Sequence, residues 1–141
     1  TDDNAFELDD MIDFARAAGA FVLNVFFLVC TGRGEKVTNI SRETYESVLR
    51  RVTEAAHEEG DILIRAKCAP HFKRMAFELD ASWPITLAHG YEAGGCLAGT
   101  RYCRVTPEGE VTPCPFMEPS VGSVRQRRFV DIWRDSPLFD Q

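Results

Sequence analysis

The sequence predicts an α/β chain, with parallel strands joined through helices over residues 1–90 and a small α+β unit with a β-hairpin over residues 91–141. Three observations predict this. Residues 21–29 (FVLNVFFLV) form a near-continuous apolar run, the mark of a strand in a parallel sheet buried on both faces. Two stretches of helical apolar period alternate with two such strands, and each is followed by a glycine. Finally, Cys96, Cys103 and Cys114 lie among Gly and Pro in the last third of the chain, where little core can be buried and a metal centre would hold the unit together.

Element by element, Leu8, Met11, Ile12, Ala15 and Ala18 recur at helical spacing, and Gly19 sits where a helix would end. The strand over 21–29 follows, ending at Cys30, which is expected to be a small core residue. Ser41 is the expected N-cap of a second helix over 41–59, with Glu43 near its positive end and Gly60 as its stop. Its apolar stripe is Tyr45, Val48, Leu49, Val52, Ala55 and Ala56. Residues 61–66 (DILIRA) read as the second strand. Helix–strand–helix–strand order implies crossovers and a parallel sheet.

After Lys67 the pattern changes. Residues 68–71 (CAPH) read as a loop, residues 72–79 as a short helix, and residues 82–99 show no strong period. Residues 102–106 and 110–113 read as two short strands around Pro107-Glu108-Gly109, a turn with Gly where positive φ suits. A final helix begins at Phe129, and Trp83 and Trp133 are expected to anchor the packing of the small unit.

Composition narrows the function. Of 141 residues, 45% are hydrophobic, which fits a folded chain, and the net charge is −6. That balance argues against nucleic-acid binding, the short run Arg125-Gln126-Arg127-Arg128 reading as a solvated loop. No apolar run reaches the roughly 18–20 residues of a membrane span. The opening Thr1-Asp2-Asp3-Asn4 is acidic, unlike a signal peptide, and lacks an initiator Met, which suggests a cut piece. A cytoplasmic location is expected. His57 suits the end of its helix, and His89 is assigned a surface or supporting role.

The five cysteines are Cys30, Cys68, Cys96, Cys103 and Cys114. An odd number in a chain with no mark of secretion points to metal rather than disulfides. Opposite strands of a hairpin bring side chains within about 5 Å, so Cys103 and Cys114 are expected to converge with Cys96. Pro113 and Pro115 stiffen the chain beside Cys114. A four-ligand site needs one more donor: Cys68, after a strand end, is the first choice and His71 the alternative. Soft thiolates select iron–sulfur clusters or zinc, and the spacing does not separate the two.

The stretch Gly95-Cys96-Leu97-Ala98-Gly99 through Tyr102-Cys103, Gly109 and Cys114-Pro115-Phe116 resembles the SPASM/twitch-type C-terminal region of radical S-adenosylmethionine enzymes. The tail, Val121-Gly122-Ser123 and then Phe129 to Ser136, is similar to the ending of that region. Thr31-Gly32-Arg33-Gly34 and Lys67-Cys68-Ala69-Pro70-His71-Phe72 resemble segments of the branch that includes maturases of alternative haem and haem d1 pathways. The resemblance implies the C-terminal portion of a partial (β/α)6 barrel followed by a SPASM/twitch-type domain. It implies Cys96, Cys103 and Cys114, with Cys68, as ligands of an auxiliary [4Fe–4S] cluster that positions substrate or relays electrons. It implies that Gly32, Arg33 and Gly34 border the S-adenosylmethionine or substrate carboxylate. The implied partners are an N-terminal barrel half and a peptide, tetrapyrrole or small-molecule substrate. The family's C-x3-C-x2-C motif is absent from this sequence, so the chain alone is not expected to cleave S-adenosylmethionine. No cysteine follows Cys114, which limits the expectation to one auxiliary cluster. The alternative from another class is a zinc-stabilised, non-catalytic binding or scaffold module.

Overall fold

A computed structural model describes residues 1–37, 40–58, 60, 62–84 and 96–139. The chain divides into two compact units, Thr1–Gly95 and Cys96–Gln141.

In the first unit a 3-10 turn, Ala5–Glu7, leads into α1 (Leu8–Ala17), then β1 (Val22–Phe26), a 3-10 turn Gly32–Lys36, α2 (Arg42–His57), β2 (Leu63–Lys67) and α3 (Phe72–Leu79). The helix stops follow local chemistry. Gly19 takes φ +69, its N–H donates to Arg16 O, and the Ala20 N–H donates to Ala15 O. These two bonds are those of a Schellman cap. At the other end of the crossover, the Thr44 N–H donates to Ser41 Oγ at 3.0 Å, satisfying one of the open donors of α2. That helix ends at His57, before Gly60.

β1 and β2 pair in parallel from Val22↔Leu63 to Phe26↔Lys67, with α2 as the connecting helix. One face of this pair is packed. Leu23, Val25, Ile64 and Ala66 join Ile12 and Ala15 of α1 and Val52 and Ala55 of α2 in one core. A second patch, Phe27, Leu49, Ala69 and Met75, sits beneath α2 and α3. The expected burial of β1 on both faces is not found. Phe21 is 86% exposed and Phe26 71%, because the helices of this unit pack on one side only. Cys30 is likewise exposed rather than a core residue.

Ion pairs tie the helices. Arg51 on α2 holds Asp9 on α1 at 2.7 Å and Glu58 at 3.1 Å. Arg74 on α3 holds Glu46 on α2 at 2.6 Å. The hydrogen bond from Arg51 draws the Glu58 carboxyl below its usual range, as that from Arg74 does for Glu46. These pairs are exposed, so they orient the helices more than they stabilise them.

The second unit is a three-stranded antiparallel sheet, β3 (Arg104–Val105), β4 (Glu110–Thr112) and β5 (Gly122–Ser123), closed by α4 (Phe129–Asp135). β5, two residues long, has no period to betray it in the sequence. The core is small: Val111, Ile132 and Phe139, with Cys103, Val121 and Trp133 at its margin. Trp133 stacks on Phe139 at 4.5 Å, as an anchor should. Trp83 instead belongs to the first unit, edge-on to His57 at 4.9 Å.

The β3–β4 turn is clamped by one arginine. Arg125 Nε donates to Glu108 O at 2.6 Å and its Nη2 to Pro107 O at 3.0 Å. Arg127 pairs with Asp135 at 2.6 Å. The basic run thus closes a turn and braces a helix. Gly109 has φ +94, and a Cβ there would meet Arg125 Cγ at 2.9 Å. Gly109→Ala is therefore expected to destabilise the unit by about 1–2 kcal/mol, through both the φ penalty and displacement of the clamp. Thermal unfolding beside Arg125→Ala checks this: the two effects overlap if the clamp carries the loss, and so add to less than their sum.

Candidate metal centre

The second unit holds three of the expected ligands. Cys96 opens a tight loop in which the Arg101 N–H donates to Leu97 O and the Gly99 N–H to Tyr102 O, both at 2.9 Å. Gly99 has φ +79, and a Cβ there would press on Leu138 O at 3.2 Å. Only glycine lets this loop pass under the C-terminal segment. Cys96 is exposed, Cys103 half-buried and Cys114 buried.

Two of the thiols already receive backbone donors. The Ala98 N–H donates to Cys96 Sγ at 3.5 Å, and the Phe116 N–H donates to Cys114 Sγ at 3.4 Å. Both bonds come from the residue two positions on, the turn in which backbone N–H groups support a sulfur that carries negative charge. Tyr102 Oη lies 3.6 Å from Cys96 Sγ. Cys103 packs against the Val111–Ile132–Phe139 core, and burial pushes its thiol up. It holds its proton more firmly than usual, and a metal must displace that proton on binding.

No group of three or more His, Cys, Asp or Glu side chains is gathered in metal-holding geometry among the described residues. The hairpin register gives the reason. Arg104 pairs with Thr112 and Val105 with Val111, so both cysteines lie just beyond the paired rungs. Beyond those rungs the chain bends at Pro113 and Cys114, so Cys114 is outside the ladder. The paired rungs of the hairpin thus include neither thiol. The donor set fits a thiolate-bound centre in its chemistry: three thiols, none in a disulfide, two of them hydrogen-bonded by backbone amides.

The remaining expected residues lie in the first unit. Cys68 directly follows β2, is exposed, and takes φ +58, a left-handed conformation uncommon outside glycine. His71 begins α3, with its ring 6.0 Å from that of Tyr45. Gly32, Arg33 and Gly34 lie in the 3-10 turn after β1. Gly32 has φ +55, and a Cβ on Gly34 would meet Val29 O at 3.2 Å. The path of the chain thus favours glycine at both positions, at Gly32 through its φ and at Gly34 through the close carbonyl. His57 accepts or donates a hydrogen bond with Asp80 at 3.2 Å, and His89 lies outside the described residues.

Sequence reasoning missed one feature of the second unit. Arg101, Tyr102, Cys103, Phe129, Val130 and Trp133 line an open depression of about 350 Å³, so one thiol borders an aromatic-walled hollow. The signal was the aromatic pair Phe129 and Trp133 at i, i+4 on α4.

Residues 96–141 match the SPASM family, described as an iron–sulfur cluster-binding domain. The "AdoMet-dependent heme synthase" of Methanosarcina barkeri is 36% identical, over 96% of this chain and 40% of its own length. Those of Nitratidesulfovibrio vulgaris and Oleidesulfovibrio alaskensis are 33% and 34% identical over the whole chain, and over 40% and 38% of their own lengths. The chain thus spans about 40% of the curated relatives it matches. No solved structure matches it. No helix among the described residues is long and apolar enough to cross a membrane. The chain belongs with the radical S-adenosylmethionine enzymes that carry a SPASM-type iron–sulfur domain, that domain occupying residues 96–141.

Proposed function

We propose that this chain is the C-terminal part of a radical S-adenosylmethionine enzyme acting on a tetrapyrrole, with residues 91–141 binding an auxiliary [4Fe–4S] cluster. The observation that carries the reading is that Cys96, Cys103 and Cys114 all fall within the SPASM match. The tetrapyrrole is chosen over a peptide because the relatives are named heme synthases. Cys96, Cys103 and Cys114 would hold the cluster, with Cys68, or else His71, as fourth ligand. Such a cluster supplies one-electron chemistry at a potential set by hydrogen bonds to sulfur and by exposure. The amides of Ala98 and Phe116 lower the charge at Cys96 and Cys114, and the half-burial of Cys103 limits water. The hollow beside Cys103, walled by Tyr102, Phe129 and Trp133, suits a flat apolar molecule held next to the centre.

Residues 1–90 would be late strands of a partial (β/α)6 barrel, their ligands at the carboxyl ends of the strands. Gly32, Arg33 and Gly34 follow β1 at that end and would border S-adenosylmethionine or a substrate carboxylate. An N-terminal barrel half would supply the cluster that cleaves S-adenosylmethionine. The expected result is that the full-length polypeptide, reduced without oxygen, releases 5′-deoxyadenosine from S-adenosylmethionine and this chain alone releases none. A full-length polypeptide that loads iron and still releases none would overturn the enzymatic reading.

A further inference from the structure

The exposed face of the first unit's sheet is not uniformly apolar. Leu23, Val25, Ile64 and Ala66 point into the helix-packed core. Strand alternation therefore puts Val22, Asn24, Phe26, Leu63, Arg65 and Lys67 on the opposite face. The register makes three rungs of them: Val22↔Leu63, Asn24↔Arg65 and Phe26↔Lys67. The face thus changes from apolar at the amino ends of the strands to amide and cation toward the carboxyl ends. That is the end at which open parallel sheets bind ligands.

Arg65 and Lys67 are both half-buried. Among the described residues, neither side chain has an ion pair or hydrogen bond, nor does that of Asn24. Four arginines of the unit, Arg16, Arg50, Arg51 and Arg74, pair with carboxylates, and the other described cations without an ion pair, Lys36, Arg42 and Lys73, are exposed rather than half-buried. Nor is acid scarce, with 22 Asp and Glu against 16 Lys and Arg. Half-burying an unpaired cation costs free energy that an anion would recover. Neighbouring strands lie about 4.8 Å apart and residues i, i+2 roughly 7 Å apart, so the three polar groups fall within reach of one small ligand. Asn24 and Phe26 also line a depression of about 310 Å³ with residues of α1 and α2, among them Met11 and Tyr45.

We propose that Arg65 and Lys67, with Asn24 beside Arg65, bind a carboxylate of a small-molecule ligand on the open face of β1 and β2. Arg65 offers a planar fork matched to a carboxylate, Lys67 a point charge, and Asn24 an amide N–H. The carboxylate has two sources, an acid side chain of the substrate or the aminoacyl group of S-adenosylmethionine. That either ligand is handled by this protein rests on the function proposed above; the unpaired cations do not.

The test titrates the cluster-loaded full-length protein with haem, which carries two propionates, with haem dimethyl ester, and with S-adenosylmethionine. Arg65→Gln and Lys67→Gln are each expected to weaken haem binding about tenfold or more, while the ester binds all forms alike. The same loss seen for S-adenosylmethionine instead would assign the cations to its aminoacyl carboxylate, and the site would stand. Equal binding of both acids by wild type and variants would overturn it, since the two side chains would then merely lie over Phe26 and Leu63. Should the Gln variants misfold, the unmutated protein still answers: rising salt weakens binding of the acid and not of the ester if cations hold the carboxylate. Salt-independent binding of both would overturn the proposal. Absence of iron and of 5′-deoxyadenosine would sink the proposed function yet leave the cation effect measurable.

Discussion

Ile132→Ala is expected to unfold the second unit while the first remains folded. Ile132 is fully buried, and the only other buried apolar side chains in its cluster are Val111 and Phe139. It also packs on the backbone at Gly122, where a Cβ would sit 3.4 Å from Ile132 Cγ1. Truncating such a side chain costs roughly 2–5 kcal/mol. A unit of this size rarely holds more than about 3–5 kcal/mol in its core, so one substitution consumes most of it. Trp133, stacked on Phe139, reports the change by fluorescence in a Trp83→Phe background. Val105→Ala is the control: Val105 is 48% exposed, and its loss should stay within about 0.5 kcal/mol. Equal melting of the two variants would show that α4 does not hold this unit together.

Loss of any one thiol among Cys96, Cys103 and Cys114 is expected to remove the cluster rather than weaken it, because each would bind iron directly and the unit has no spare cysteine. Cys103→Ala should have the largest effect, since it also opens space beside Val111 and Phe139. The fourth ligand is read from a matched pair. Cys68→Ala should abolish iron loading and His71→Ala should leave it intact if Cys68 is the donor. The reverse outcome would assign His71, whose place at the start of α3 puts it three residues along the same loop. Cys68→Gly is the informative companion. It relaxes the φ of +58 while removing the thiol, so it separates the backbone's demand from the metal's.

How much was readable in advance follows from which forces acted locally. The helices were legible because period, cap and stop agree: Ser41 accepts the Thr44 N–H and Gly19 takes the left-handed cap. The residue range of α3 was read to the residue. The apolar run at 21–29 was legible as a strand but not as a half-covered one. Its composition reports what the run can bury, while exposure at Phe21 and Phe26 depends on which other elements are present. The loop cysteines were legible as a chemical set because thiols among glycines and prolines have few other uses. Their mutual placement was not, since the hairpin ladder has two rungs and stops short of both Cys103 and Cys114. The cationic face escaped notice because Arg65 and Lys67 mean nothing until the register sets them beside Asn24.

The central claim is that residues 96–141 carry an auxiliary iron–sulfur cluster, and the direct measurement is iron, acid-labile sulfide and zinc per chain after anaerobic purification, with the visible spectrum. This chain is expected to hold about four irons and four sulfides with absorption near ~400 nm, all lost in Cys103→Ala. One tightly held zinc and no chromophore would contradict it and leave a structural metal module in its place.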